Sequence, residues 1–240
     1  MLTSTTKQIK DVFFCPEESN FYAYCLETLV LNYCIGSESI VEFGSGDGSP
    51  VIKSLLNTRF DGVVHGFELN SSAYEIATSK IQEYGLSEKY LIHNRSFFDS
   101  SRPKAKYLIS NPPYLPALDN QIYQPLLHGG LDGITVTKKL LTLDYENVLV
   151  MISSYSNPEG LIDYAIAQGY YTANFIISPL KFGYYSSEPK VMNRIREMRE
   201  SNMAFCSQNI YLLAGVLFTK KDKVKEDLSI ELLQIMTSLC

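Results

Sequence analysis

The chain has 240 residues, 45% hydrophobic and 20% charged, which fits one globular domain, 1–240, with at most a small appendage. A formal net charge of -5 offers no global attraction to polyphosphate, so bulk nucleic-acid binding is excluded as the main activity while a local basic patch stays open. Five cysteines (Cys15, Cys25, Cys34, Cys206, Cys240) without C-x-x-C spacing, a polar start MLTSTTKQIK and no run long enough to cross a bilayer predict reduced thiols, no metal site, no membrane segment and a cytoplasmic location.

Residues 19–35, SNFYAYCLETLVLNYCI, predict a largely apolar helix that Gly36 ends, so that 1–36 forms a helical extension ahead of the first strand. SIVEF (39–43) is a short apolar strand. The loop GSGDG follows it, then a helix with Ser49 as cap and Pro50 at its first position. GVVHGFE (62–68) is the second strand, and the helix behind it opens at Ser72, with Glu75 completing a capping box, and runs to Gly85. YLIHN (90–94) and AKYLIS (105–110) make strands three and four. A helix across 133–143, a strand NVLVMIS (147–153), a helix from Pro158 to Gln168, strands YTANFIIS (171–178) and IYLLAGVLFT (210–219) and an amphipathic helix over 226–239 complete the chain. Strands that alternate with helices imply right-handed crossovers and an α/β, doubly wound, mostly parallel sheet.

The stretch 181–200, KFGYYSSEPKVMNRIREMRE, interrupts the alternation. Val191, Met192, Ile195 and Met198 share one helical face, and Arg194, Arg196 and Arg199 surround it. Two readings stay open here, a solvated helix and a substrate-facing lid.

Gly44, Gly46 and Gly48 lie directly between the first strand and its helix, where bare backbone can approach a ligand beyond the strand ends. Glycines there are also ordinary turn chemistry. The second strand ends in Glu68, placed where an acid can accept from both hydroxyls of a ribose. Two cofactor classes share that pattern. A nicotinamide dinucleotide wants G-x-G-x-x-G and a pyrophosphate on the helix start. This chain has G-x-G-x-G, and Glu42 two residues ahead would repel a pyrophosphate but suits a sulfonium or ammonium group. The acid favours S-adenosylmethionine over a dinucleotide oxidoreductase.

Strand four ends in LISNPPYLPA (108–117). Neither proline has an N–H to donate, and each pushes its predecessor toward extended backbone, so the strand ends in a stiff loop. The Asn111 side-chain oxygen and the Pro112 carbonyl are two acceptors with no competing donor between them. Together they can grip the two hydrogens of an NH2 group, while Tyr114 covers the flat face of an amide or base. Stiffness then serves orientation.

VEFGSGDG, then FE at 67–68, then NPPY at 111–114, in this order, resemble the class I S-adenosylmethionine-dependent methyltransferases, and the N-P-P-Y variant resembles those that methylate planar NH2 nitrogens. YQPLLHGGLDGI (123–134) is similar to the E-P-x-x-A-L-x-G-G-x-D-G-L segment of HemK/PrmC-type glutamine methyltransferases, with Gln124 where that family has Glu. VFFCPEESNF (12–21) resembles the entry segment of the wider "methyltransferase small domain" group; the helical amino-terminal domain of HemK-type enzymes has no counterpart in this sequence.

The resemblance implies a Rossmann-like fold, a seven-stranded sheet with an antiparallel last strand, and S-adenosylmethionine as cofactor. It implies cofactor contacts from Glu42, Gly44, Gly46, Glu68, Asn111 and the segment after strand three, where Ser96 takes the position of the family's adenine-binding acid, Asp99 follows, and Phe97 or Phe98 offers a ring face. Catalytic roles fall to Asn111, Pro112 and Tyr114. The acceptor is a protein or small-molecule amide or amine, with a nucleobase possible. His128 reads as a loop residue rather than a base, and Asp132 as the cap of the next helix. The reading from a different class is a noncatalytic S-adenosylmethionine binder that docks a partner through 181–200; an acceptor clamp has no use in such a scaffold.

Overall fold

The computed structural model describes residues 12–34 and 36–239, so the polar start and the first third of the expected 1–36 extension lie outside the described residues. The chain divides into two compact units, Met1–Asn111 and Pro112–Cys240.

In the first unit, helix α1 spans Pro16–Leu29, starting three residues earlier than its apolar pattern implied. Pro16 occupies the first helical position, where its missing N–H costs nothing, and Glu17 and Glu18 complement the helix dipole. The predicted continuation to 35 is instead a single 3-10 turn, Leu31–Tyr33, entered through the Val30 N–H to Leu26 carbonyl bond. Val30 and Leu31 stay buried, so the apolar pattern persists after the α-helix has stopped.

Strand β1 is Ser39–Phe43 and helix α2 is Ser49–Asn57. Gly48, with φ 73°, takes the cap position that the sequence offered to Ser49. Asp47 explains the shift: its carboxylate accepts from Ser49 N at 3.1 Å and Ser49 Oγ at 2.9 Å, which draws Ser49 into the first turn. After β2 (Val63–Glu68), helix α3 (Ser71–Glu83) is capped by Asn70 rather than Ser72. Asn70 Oδ1 accepts from Ser72 N and Ala73 N at 3.0 and 3.3 Å, the orphan donors of the first turn. Strands β3 (Tyr90–Asn94) and β4 (Tyr107–Ser110) follow. β1 pairs in parallel with both β2 and β4, and β2 with β3.

In the second unit, helix α4 covers Thr135–Leu141, strand β5 Asn147–Ser153, helix α5 Pro158–Ala167, strand β6 Tyr170–Lys181, helix α6 Pro189–Glu200, strand β7 Ile210–Lys220 and helix α7 Ser229–Met236. Every residue of β5 is buried, as expected for a strand covered on both faces. β7 runs antiparallel to both β5 and β6. The strand order is β3-β2-β1-β4-β5-β7-β6, a seven-stranded, mostly parallel α/β sheet with its last strand reversed, as the resemblance implied. Among the described residues no helix is long and apolar enough to cross a membrane.

Asp132 does not cap α4 in the expected way. The positive φ of Gly133, 81°, delays the helix to Thr135, and Asp132 accepts from Ile134 N at 3.4 Å and from Asn157 Nδ2 at 3.1 Å. On α6, Val191, Ile195 and Met198 are buried, while Arg196 and Arg199 are exposed.

Because Asn70 satisfies two α3 donors through its side chain, Asn70→Ala is expected to lower stability by about 1 kcal/mol and Asn70→Gly by only a few tenths. Urea denaturation of the two variants checks this.

Candidate active site

Three parallel strand ends set the site. In the β1–β2 register Phe43 faces Phe67, and in the β1–β4 register Glu42 faces Ile109. Carried one and two residues onward, these registers place Gly44 between Glu68 and Asn111 at the carboxyl edge of adjacent strands. The Ser110 Oγ bond to the Phe43 carbonyl, 2.9 Å, holds β4 to β1 at that edge. This edge is where α/β sheets of this kind take their ligands.

The glycine loop bends over the edge with Gly44, Gly46 and Gly48 at φ 70°, 56° and 73°, all in the left-handed region. A Cβ on Gly44 or Gly46 would meet nothing within 4 Å, so these two are glycine for their backbone angles, and the space beside them is open. Gly44 N and Ser45 N both donate to the Phe67 carbonyl, at 3.0 and 3.2 Å. Glu68 completes the hold. Its Oε2 accepts from Gly46 N at 2.8 Å and its Oε1 from Asn70 N at 2.7 Å. Burial raises the Glu68 carboxyl above its usual range, and the amides of Asn70 and Gly46 oppose the rise. Each oxygen retains lone-pair capacity for a further donor.

Glu42 is 1% exposed. Tyr90 donates to its Oε2 at 2.5 Å and Tyr22 to its Oε1 at 3.4 Å. Desolvation pushes the Glu42 carboxyl up to about 7, against the nearby Tyr90, Ser45 and Tyr22 hydroxyls that favour its charged form; Glu68 adds a smaller push upward. Ser45 Oγ is buried close enough to this carboxylate to favour its charged form, but its geometry falls short of a hydrogen bond. Glu42, expected at the cofactor, is held among these hydroxyls in the structure.

After β3, Ser96 Oγ donates to Asp99 Oδ2 at 2.6 Å and accepts from Asp99 N at 3.3 Å, a self-contained turn. Phe97 is 2% exposed, packed edge-on against Phe43 and Phe67 with centroids 5.3 Å apart, and the Arg102 guanidinium covers its ring at 4.8 Å. Phe98, 38% exposed and 5.4 Å from Phe43, is the ring of the pair that reaches solvent. Between the two rings the sequence left open, burial separates wall from surface.

Asn111 Oδ1 is buried and has no hydrogen-bond partner. An unsatisfied buried amide oxygen costs about 1–3 kcal/mol, a cost that a donor from solvent or a ligand would relieve.

Within the second unit, the segment behind the two prolines is bonded on every side. Tyr114 is 7% exposed, with its ring 6.1 Å from that of Tyr155. Its carbonyl accepts from Ser156 Oγ at 2.7 Å. Leu115 donates to the Leu127 carbonyl and accepts from Gly129 N, and Ala117 donates to the Gly130 carbonyl. A Cβ on Gly129 would lie 2.7 Å from Tyr114 Cα, and one on Gly133 2.6 Å from the Tyr114 carbonyl, so this glycine segment is a close-fitting seat for Pro-Pro-Tyr. His128 Nε2 lies 3.0 Å from the Ala117 carbonyl, a loop contact as expected. Sequence reasoning missed Tyr22, Tyr90 and Ser156. No spacing motif marks them, and the one available signal was their polar tips in otherwise apolar segments.

No family model matches the chain. A release factor glutamine methyltransferase from Thermosynechococcus vestitus is 28% identical over 113 residues, 42% of this chain and 38% of that protein. The similarity thus spans well under half of that relative. Among solved structures, PH1948 from Pyrococcus horikoshii superposes with a TM-score of 0.56 at 10% identity, covering 89% of each chain. TYW2 of M. jannaschii, solved in complex with AdoMet, superposes with a TM-score of 0.52 at 14% identity, covering 88% of this chain and 80% of that one. The fold is the Rossmann-like fold of class I methyltransferases. Within that class, the likeness to glutamine methyltransferases read from the motifs is borne out by the sequence relative.

Glu42 also makes stability depend on pH. A folded value near 7 against an ordinary 4.5 means that the native state binds the proton more tightly, so stability falls as pH rises from about 4.5 through 7, by roughly 3 kcal/mol in all. Glu42→Gln cannot ionise. Its stability relative to the native chain should therefore rise between pH 5 and pH 8, read by urea denaturation at both; equal differences at the two values would refute the assignment.

Proposed function

We propose that this chain is a cytoplasmic S-adenosylmethionine-dependent N-methyltransferase whose acceptor is a planar NH2 nitrogen, with a side-chain amide of a protein as the favoured substrate. The observation that carries the reading is the buried, unpartnered Asn111 Oδ1 at the strand edge beside Gly44 and Glu68.

The residues fit the cofactor. Open space beside Gly44 and Gly46 admits a ligand against bare backbone, and Glu68 has lone pairs for ribose hydroxyls. Phe98 offers an exposed ring for a base, in place of the covered Phe97. When bound, S-adenosylmethionine supplies an electrophilic methyl group on a sulfonium sulfur. Asn111 Oδ1 and the Pro112 carbonyl accept the two hydrogens of the acceptor NH2 and turn its lone pair toward that methyl. The nitrogen becomes acidic only as the bond forms, so the clamp needs no strong base beside it. Tyr114 closes the flat face of the acceptor. The amide preference follows the likeness to a glutamine methyltransferase.

The 181–200 stretch serves as a lid over the segment behind Pro-Pro-Tyr. Arg194 Nε donates to the Leu131 carbonyl at 2.8 Å, Lys190 pairs with Asp119 at 2.9 Å, and Glu188 accepts from Tyr123 N at 2.6 Å, so α6 is tied to that loop at three points.

Glu68→Ala should weaken S-adenosylmethionine binding by about 1.5–3 kcal/mol, the scale of hydrogen bonds to a charged group, in calorimetry on a folded variant. Unchanged affinity would sink the ribose role. Incubation with tritiated S-adenosylmethionine and separated protein, RNA and DNA fractions identifies the acceptor, with label expected in protein. On that acceptor, Asn111→Ala should slow single-turnover transfer by about 10²-fold or more while cofactor affinity changes far less, because the lost acceptor matters most when the lone pair is aligned. Near-normal transfer would refute the clamp.

A further inference from the structure

Beneath the glycine loop, three hydroxyls converge on one buried acid. Tyr90, the first residue of β3, donates to Glu42 at 2.5 Å, and Tyr22, from the middle of α1, donates at 3.4 Å. Ser45, in the loop itself, lies buried in the same cluster with no hydrogen bond of its own. The packing is tight. A Cβ on Gly66, inside β2, would collide with Ser45 Oγ and lie 2.9 Å from the Tyr90 ring; one on Gly48 would lie 3.4 Å from that ring. Glycine within a strand weakens it, and here its absent side chain lets Ser45 and Tyr90 meet over β2.

We propose that Tyr22 and Tyr90 are positioning residues for the cofactor loop, acting through Glu42 and Ser45 to set the loop in its ligand-ready shape. The inference rests on the cofactor reading of that loop. A carboxylate can accept from all three hydroxyls at once. A carboxylic acid must donate its own proton, which turns one of the three from donor to acceptor and breaks the arrangement. The charged form of Glu42 therefore gives Ser45 the acceptor it lacks and pins the loop between Gly44 and Gly46. Cofactor affinity should then follow the ionisation of Glu42. The groups facing it are Tyr22 from α1, with Cys25 beside that ring, Tyr90 from β3, Ser45 from the loop and Glu68 from β2.

The test is calorimetry with S-adenosylhomocysteine between pH 6 and 8.5 on the native chain, Tyr90→Phe, Tyr22→Phe and Glu42→Gln, each checked for its melting temperature. Native affinity should rise about tenfold through a midpoint near 7, where burial places the Glu42 carboxyl. Tyr90→Phe, which removes one hydroxyl and no ring volume, should move that midpoint up by about one pH unit, the scale of one hydrogen bond to a charged group. Tyr22→Phe should move it less, because its bond is longer, and Glu42→Gln should erase the step. If Tyr90→Phe does not fold, the Tyr22 and Glu42 variants decide the matter alone. A lowered melting temperature with an unmoved midpoint would make the tyrosines merely structural, and a step that survives in Glu42→Gln would also overturn the proposal. Failure of the native chain to bind S-adenosylhomocysteine at any pH would overturn the cofactor reading itself, a result distinct from binding with a misplaced midpoint.

Discussion

Parallel pairing of β1 with β2 on one side and β4 on the other is the constraint from which the candidate site follows. Parallel strands present their carboxyl ends at one edge, and the two registers bring Gly44, Glu68 and Asn111 to that edge although they are far apart in the chain. Backbone hydrogen bonds along the ladders fix this alignment before any side chain acts. A slip of one residue in either pairing would turn Glu68 or Asn111 to the opposite face of the sheet. The Phe67 carbonyl illustrates the economy of the edge: it receives both Gly44 N and Ser45 N, so the loop grows out of the sheet's own bonding.

The two acids near the loop have been given opposite settings by their surroundings. Glu68 accepts from backbone amides on both oxygens. Glu42 is enclosed and is hydrogen-bonded by tyrosine hydroxyls. Hydroxyls are weaker compensation for a buried charge than a cationic partner, which is why burial dominates at Glu42 and carries its carboxyl near neutrality.

The stiffness of Pro-Pro-Tyr has two sources. Proline rings restrict φ and remove donors, a local effect written in the sequence. The rest comes from the second unit's own packing: Ser156 holds the Tyr114 carbonyl, while Gly129 and Gly133 leave just enough room for the Tyr114 backbone to seat. Asn157, next to Ser156, carries a positive φ of 44° and reaches Asp132. The G-G-x-D-G segment that resembles HemK/PrmC enzymes is therefore a structural seat as much as a motif.

Sequence alone determined the alternation of elements, the β1, β3 and β5 boundaries, the glycine loop, the acid at the end of β2 and the two-proline stop after β4, because each depends on local chemistry: apolar runs, backbone freedom at glycine and its denial at proline. It misplaced helix caps by one or two residues where a neighbour competed for the same amides, as Asp47 did at Ser49 and Asn70 at Ser72. It left Phe97 and Phe98 undivided, since adjacent aromatics in a loop are told apart only by what covers them. Tertiary structure alone decided that Glu42 faces inward, that Tyr22 and Tyr90 meet it from 20 and 48 residues away, and that Asn111 Oδ1 stays without a donor. Burial and partnership belong to a three-dimensional neighbourhood that long-range contacts create, and no local pattern along the chain encodes which distant group will arrive to fill it.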